Sequence, residues 1–397
     1  MKLTLEERDM LDGKYGKSVK KSMEILTTLG EIFDAECMVD VVGVQVAGVS
    51  YANLGEAGLE FLNEMAEDGK VRVLTTLNPA GMDRENWQAL GIDEEFAKNQ
   101  NRAIDTFAKM GIITTCSCTP YLIGNAPHFG QHLAWAESSA VCYSNSVIGA
   151  RTNREGGPSA LASALTGKTP KYGYHLEKNR HGQVLFKVNV SVKGTDEFGV
   201  LGKFVGDKLV ELGKKIPYIN GIPTATVEEL KSFCASVATY GGVALFHMEG
   251  ITPEYNNYPL PSDIVFEINH NELEKTRAEL IDDDLEIDFV SIGCPHASLH
   301  EIAKIASLLE GVKVKKEFWI TTARPTKRIA DEVGYSKIIE DAGAKFAADT
   351  CCVVAPIKGR FKGIMVDSAK ACYYGRAKNK FKVKIDTIEE CVKEAIK

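Results

Sequence analysis

The 397-residue sequence predicts an α/β protein with mainly parallel sheets and a site at the carboxyl ends of its strands. Two observations carry this. Short runs rich in valine and isoleucine alternate with longer stretches of helical period, and such alternation implies parallel strands covered by helices. Three separate cysteine positions follow directly on predicted strands, on the edge where sheets of this kind bind ligands.

In chain order, "VDVVGVQVAG" (39–48) reads as a buried strand and "LGEAGLEFLNEMAEDGK" as a helix closed by Gly69. "VRVLTTL" (71–77) is the next strand, opening into the turn "NPAGMD". The helix "EEFAKNQNRAIDTFAKMG" stops at Gly111, and "IITTCSC" (112–118) follows as a strand that would place Cys118 at its carboxyl end. The middle is less regular: "RTNREGGPSA" is a polar loop, "KVNVSVKG" a strand, and "NGIPTATVEELKSFCASVATYGG" a loop, a capped helix and a glycine stop. In the second block "IDFVSIG" (287–293) is a strand with Cys294 straight after it. Leu299, Ile302, Ile305, Ala306 and Leu309 then recur at helical spacing. "KVKKEFWITT" and "KFAAD" (345–349) are two further strands, separated by a helix around "KRIADEVGYSKIIEDAG" and followed by Thr350, Cys351 and Cys352. A boundary near 195–220 divides the chain into lobes of roughly 1–200 and 201–397.

Composition is that of an ordinary globular protein, 44% hydrophobic and 25% charged. A formal charge of −7 argues against a nucleic-acid partner, which needs a basic face. It leaves an anionic small-molecule substrate open, because a few local donors decide that. The N-terminus carries acids where a signal peptide needs an apolar core, and no run reaches the roughly 18 apolar residues of a membrane span. A cytoplasmic protein without a membrane partner is expected.

Ten cysteines are many, and a reducing compartment disfavours disulfides. Cys37, Cys234 and Cys391 read as packed filler, and no CxxC spacing occurs. Cys294, in "GCPH", reads as a thiolate beside a helix N-terminus, where unpaired amides would stabilise it. Taken with Cys118 and Cys351 it suggests three thiolates around an iron–sulfur cluster, leaving one iron open as a Lewis acid. The rival is zinc, held by His128, His132 or His296 with a cysteine; His247 and His296 also fit structural roles. Residues 135–157 are dense in polar donors, and a solvated loop is their ordinary explanation. Interleaved apolar residues argue for partial burial, with Arg151 and Arg154, near Asn145, as a fork for a carboxylate or phosphate. The glycines and serine of "AGVSYANLGEAG" (47–58) could cradle an anion on backbone amides, with Asn78-Pro79 on the same edge. Lys370, alone in "VDSAKACYYG", reads as a solvated lysine.

Together "TCSCTPY", "ESSAVCYSNSVIGARTNREGG", "MEGITPE", "SIGCPHAS" and "ADTCCVVAP" resemble the aconitase X family across essentially the whole chain. The resemblance implies an aconitase-like, multi-lobe α/β/α body and an iron–sulfur hydro-lyase with a 4Fe-4S cluster. Cys118, Cys294 and Cys351 would be its ligands and Cys116 and Cys352 their neighbours. It puts substrate-binding positions at Gly48, Val49, Ser50, Asn78, Pro79, Glu137, Ser138 and Lys370; Asn145, Arg151 and Arg154 are added from their chemistry alone. The family also uses a small swivelling domain thought to supply a catalytic serine. Nothing here resembles it, so a separate small subunit is expected as partner and as the source of the base. The implied substrate is (R)-5-phosphomevalonate, with cis-3-hydroxy-L-proline as the alternative within the family; a redox or metal-binding protein without turnover is the alternative of a different class.

Overall fold

The structure, a computed structural model, describes all 397 residues. Three parallel sheets follow one another along the chain, each wound outward from its first strand and then returning to that strand's other side. In the first sheet the order is Leu74–Leu77, Gly43–Val46, Leu133–Trp135. In the second it is His247–Met248, Pro217–Asn220, Val184–Val188, Val265–Ile268. The third has five strands, Lys345–Ala348, Glu317–Thr322, Phe289–Ile292, Gly363–Val366, Lys382–Ile385. Reversal of winding opens a crevice beside each first strand, at the carboxyl end, where ligands of such sheets sit. In the first sheet the crevice lies between Gly43–Val46 and Leu133–Trp135, and in the third between Phe289–Ile292 and Gly363–Val366. An antiparallel pair, Met38–Asp40 with Lys168–Pro170, ties the N-terminal helices to the first sheet. No helix is long and apolar enough to cross a membrane.

The helices form where the periodicity asks for them. Glu94–Lys109 starts at Asp93, whose carboxylate accepts from the Phe96 N–H, and buries Ala97, Ala103, Ile104 and Phe107 on one face. Val227–Gly241 and Leu299–Leu309 each begin with a reciprocal capping box, Thr226 with Glu229 and Ser298 with Glu301. The largest apolar core joins the second sheet and its helices, through Phe186, Phe198 and Phe233, to Phe289, Trp319, Cys294 and Cys351 of the third. The first sheet has its own core around Val44, Val46, Leu77, Ile104 and Phe107.

Several expectations are corrected. The chain forms three sheet units rather than two lobes, because residues 200 and 201 lie inside the helix Gly194–Leu212, which connects two strands of the second sheet. The run 39–48 is two strands with different partners, broken at the exposed Val42. The helix expected to close at Gly69 is Tyr51–Met65, interrupted at Gly55, where φ is +61°. The helix before "KFAAD" is two, Arg324–Glu332 and Tyr335–Asp341, parted by Gly334 at φ +85°. Residues 112–118 are not a strand. They run beside Leu74–Leu77 with the N–H groups of Ile113 and Ser117 donating to Thr75 and Leu77 at 2.9 Å each, and Cys116, at φ +46°, breaks the extended path. Cys118 still reaches the carboxyl edge of the first sheet, as a loop residue.

Candidate functional site

Six strands deliver the candidate residues. Val49 and Ser50 follow Gly43–Val46, Asn78 and Pro79 follow Leu74–Leu77, and Glu137 and Ser138 follow Leu133–Trp135. From the third sheet Cys294 follows Phe289–Ile292, Cys351 follows Lys345–Ala348, and Lys370 lies in the first turn of Ala369–Tyr374, after Gly363–Val366. The carboxyl edges of the first and third sheets meet here, and a single ion pair joins their two crevices: Lys370 Nζ donates to Glu137 Oε1 at 2.6 Å. Both side chains are buried, Lys370 with 8% and Glu137 with 6% of its surface exposed. Lys370 is therefore not the solvated lysine its local sequence suggests.

Both Glu137 oxygens are engaged. Its other oxygen accepts from Ser139 Oγ at 2.6 Å and from the Ala140 N–H at 2.7 Å, capping the helix Ser138–Tyr143. Burial acts to raise its carboxyl, but the Lys370 charge and these hydrogen bonds hold it below the ordinary value. Burial likewise pulls on Lys370, and the charges of Glu137 and of Cys294 and Cys118 push its ammonium well above the usual range.

Cys118, Cys294 and Cys351 are all buried. Burial pushes the Cys118 thiol up to about 12, with Glu137 adding to the rise and Lys370 opposing it. Cys294 and Cys351 are raised for the same first reason. The helix-end stabilisation expected for Cys294 does not occur. Its helix starts at Leu299, five residues on, and the Glu301 N–H in its first turn is taken by the Ser298 hydroxyl. Gly293 makes the approach possible, because at φ +106° a Cβ would lie 2.1 Å from the Thr321 carbonyl oxygen. The Cys118 sulfur accepts from the His296 backbone N–H at 3.2 Å. The Cys352 backbone carbonyl accepts from Asn379 Nδ2 at 2.8 Å.

The other expected residues divide. Ser50 Oγ and Asn78 Oδ1 are buried without a hydrogen-bond partner, as ligand-facing groups would be. Gly48 is exposed at φ +81° with open space around it. Asn145, by contrast, is engaged by the protein. Nδ2 donates to the carbonyls of Thr152 and Ala244 at 2.8 and 2.9 Å, and Oδ1 accepts from the Thr152 N–H and from Arg180. Arg151 is paired with Glu177 and Glu254 rather than with any cysteine-bearing segment. Arg154 is exposed and makes no ion pair. The fork drawn from composition is thus not formed, and residues 138–148 are a buried helix passing into a π-turn instead of a solvated loop. The zinc alternative loses its geometry: His132 Nδ1 faces His175 Nδ1 at 2.9 Å, away from His296, and no three Cys, His or carboxylate groups converge on one ion.

Models of the three aconitase X domains match residues 1–178, 182–278 and 287–397, each containing one of the parallel sheets. The chain belongs to the aconitase X family. A crystal structure of Thermococcus kodakaraensis aconitase X, described as a holo-form, superposes with a TM-score of 0.92 at 44% identity, covering all of both chains. The phosphomevalonate dehydratase large subunits of T. kodakarensis and Methanothermobacter thermautotrophicus are 44% and 45% identical, over 100% and 93% of this chain and 100% and 92% of theirs. A cis-3-hydroxy-L-proline dehydratase of Hypocrea jecorina is 29% identical over 100% of this chain but only 68% of its own length.

An aconitase X body is expected to hold an iron–sulfur cluster, and the residues present fit one. Three buried thiols carried on loops at the carboxyl edges of two sheets suit a multi-iron group, which is held by thiolates. The unpartnered Ser50 and Asn78 and the buried Lys370 line the adjoining carboxyl edge. Sequence reasoning missed the residues that brace this edge. Gln100, on the buried face of Glu94–Lys109, accepts from the Tyr51 and Gly81 N–H groups at 3.0 and 2.9 Å and donates to the Val49 carbonyl at 2.9 Å. A lone amide at a core position of an amphipathic helix was its signal. Arg324 bridges Asp83 and Asp349, across first- and third-sheet segments, and no local pattern marks such a pair.

Proposed function

We propose that this chain is the large subunit of a phosphomevalonate dehydratase, removing water from (R)-5-phosphomevalonate to give trans-anhydromevalonate 5-phosphate. The observation that carries the reading is the joined pair of crevices: three cysteines, a buried Lys370–Glu137 pair and unpartnered Ser50 and Asn78 on one edge. Four relatives carrying that name are matched nearly end to end at 43–45% identity and a fifth at 32%, whereas the hydroxyproline dehydratases, at 29%, are more distant and longer than the part matched. The words "large subunit" in those relatives' names support a two-chain enzyme, with a separate small subunit as partner.

Cys118, Cys294 and Cys351 would hold the cluster, which when bound supplies a Lewis-acidic iron for polarising a hydroxyl leaving group. The chain's own residues bind and orient. Ser50 Oγ and the amides of the 48–50 turn can donate to an anionic end of the substrate, and Asn78 Oδ1 can accept from its hydroxyl. Lys370 keeps a positive charge on the edge at every physiological pH, because its partner Glu137 is fixed by Ser139 and Ala140. Elimination also removes the proton next to the carboxylate, and the reading puts the base for that step on the small subunit. The test is an anaerobic assay of the iron-loaded chain with its small subunit, phosphomevalonate and cis-3-hydroxy-L-proline side by side. Water loss from the first and none from the second is expected; the reverse selectivity overturns the substrate assignment.

A further inference from the structure

We infer that His296 is the positioning residue that locks the three cysteine-bearing segments into one ligand set. The inference rests on the cluster reading above. His296 is fully buried, two residues after Cys294, and it reaches the other two segments directly. Its backbone N–H donates to Cys118 Sγ at 3.2 Å. Its ring Nδ1 lies 3.1 Å from the hydroxyl of Ser117, the residue before Cys118, and its Nε2 lies 2.9 Å from the carbonyl of Thr350, the residue before Cys351. A carbonyl only accepts, so Nε2 carries the proton and Nδ1 accepts from the Ser117 hydroxyl. With its proton given to Nδ1, that hydroxyl accepts from the Thr119 N–H at 3.2 Å and from the Thr119 hydroxyl at 3.1 Å.

The same loop is braced from behind. The Lys231 ammonium donates to the His296 carbonyl at 2.9 Å, and Lys231 is ion-paired with Glu301. One side chain therefore reaches loops 179 and 54 positions away in sequence, each ending in a candidate thiol. The ligands belong to two different sheets and share no local turn, so nothing short-range sets their spacing. His296 supplies that spacing, and the Ser117–His296–Thr350 chain fixes where Cys118 and Cys351 stand relative to Cys294. Removing partners that orient ligands commonly costs about tenfold to a hundredfold in metal affinity.

The test compares wild type with His296→Phe, His296→Gln and Ser117→Ala. Each is reconstituted anaerobically with iron and sulfide and followed by iron content, by the electron paramagnetic resonance of the reduced protein, and by the rate of iron loss to a chelator. Circular dichroism of the metal-free forms checks folding. A folded His296→Phe should lose iron at least tenfold faster and show altered resonance positions. His296→Gln, which can return a donor toward Thr350, should recover part of both, and Ser117→Ala should fall between. Wild-type loss rates and spectra in a folded His296→Phe overturn the inference. Should that variant not fold, wild-type behaviour of both His296→Gln and Ser117→Ala overturns it equally. Failure of the wild-type chain to take up iron at all refutes the cluster reading instead, so the two failures are distinguishable.

Discussion

Lys370→Met severs the one ion pair between the two crevices while keeping the apolar stem. In the native chain Lys370 Nζ sits 2.6 Å from Glu137 Oε1, both side chains nearly dry. Removing one partner of a buried pair costs roughly 3–5 kcal/mol, because the survivor is left charged and uncompensated. Glu137 keeps Ser139 and the Ala140 amide, so the lower end, about 3 kcal/mol, is expected. The pH dependence has a definite sign. Glu137 is held below its ordinary value in the folded chain, so its contribution is present above the unfolded value of about 4.3 and is lost as pH falls through the folded one. Lys370 is raised, so its contribution is complete throughout the neutral range and is lost only as pH rises through its folded value. In Lys370→Met burial prevails and the Glu137 carboxyl rises, so the variant loses stability as pH climbs. The gap to wild type is therefore smallest near pH 4.5 and largest near pH 8. Urea unfolding of the metal-free chains, followed by tryptophan fluorescence and circular dichroism across that range, measures it. A gap below about 1 kcal/mol at pH 7.5, or one that does not change with pH, refutes the reasoning.

Other outcomes follow from the same geometry. Gln100→Leu keeps the helix face apolar but releases the 49–51 and 81 backbone groups, so KM for the substrate should rise several-fold with iron content unchanged in the same preparation. Gly293→Ala forces a Cβ to 2.1 Å from the Thr321 oxygen and should lower both the melting temperature and the iron taken up on reconstitution. Asn145→Ala leaves the Thr152 N–H and the Thr152 and Ala244 carbonyls without a partner and removes one of several acceptors of Arg180; a loss of about 2–3 kcal/mol in urea unfolding is expected, with KM of the surviving enzyme unchanged. Arg154→Ala, at an exposed and unpaired position, should leave kcat, KM and melting temperature near wild type.

The sheets were legible because period and glycine stops act locally: Phe289–Ile292, Glu317–Thr322, Lys345–Ala348 and the capped Val227–Gly241 lie where the pattern puts them. Residues 112–118 misled because an extended apolar run that meets only the edge of Leu74–Leu77, with Cys116 in the left-handed region, never closes a ladder. The site was legible where chemistry falls at strand ends, as for Cys294 and Cys351. It was illegible where partners come from afar. Lys370 looks solvated until Glu137 arrives from 233 positions away, and Asn145 looks like a ligand donor until Arg180 and Ala244 claim it. Composition shows how many donors a segment carries, whereas tertiary contacts decide which remain free.

The central claim is that Cys118, Cys294 and Cys351, and not their neighbours, form one ligand set. Iron and sulfide per chain, measured after anaerobic reconstitution of five single cysteine-to-serine variants, test it most directly. Cys118→Ser, Cys294→Ser and Cys351→Ser should each lose most of the iron, while Cys116→Ser and Cys352→Ser keep the wild-type content. Full iron and sulfide in any of the first three, or loss confined to the last two, contradicts the account.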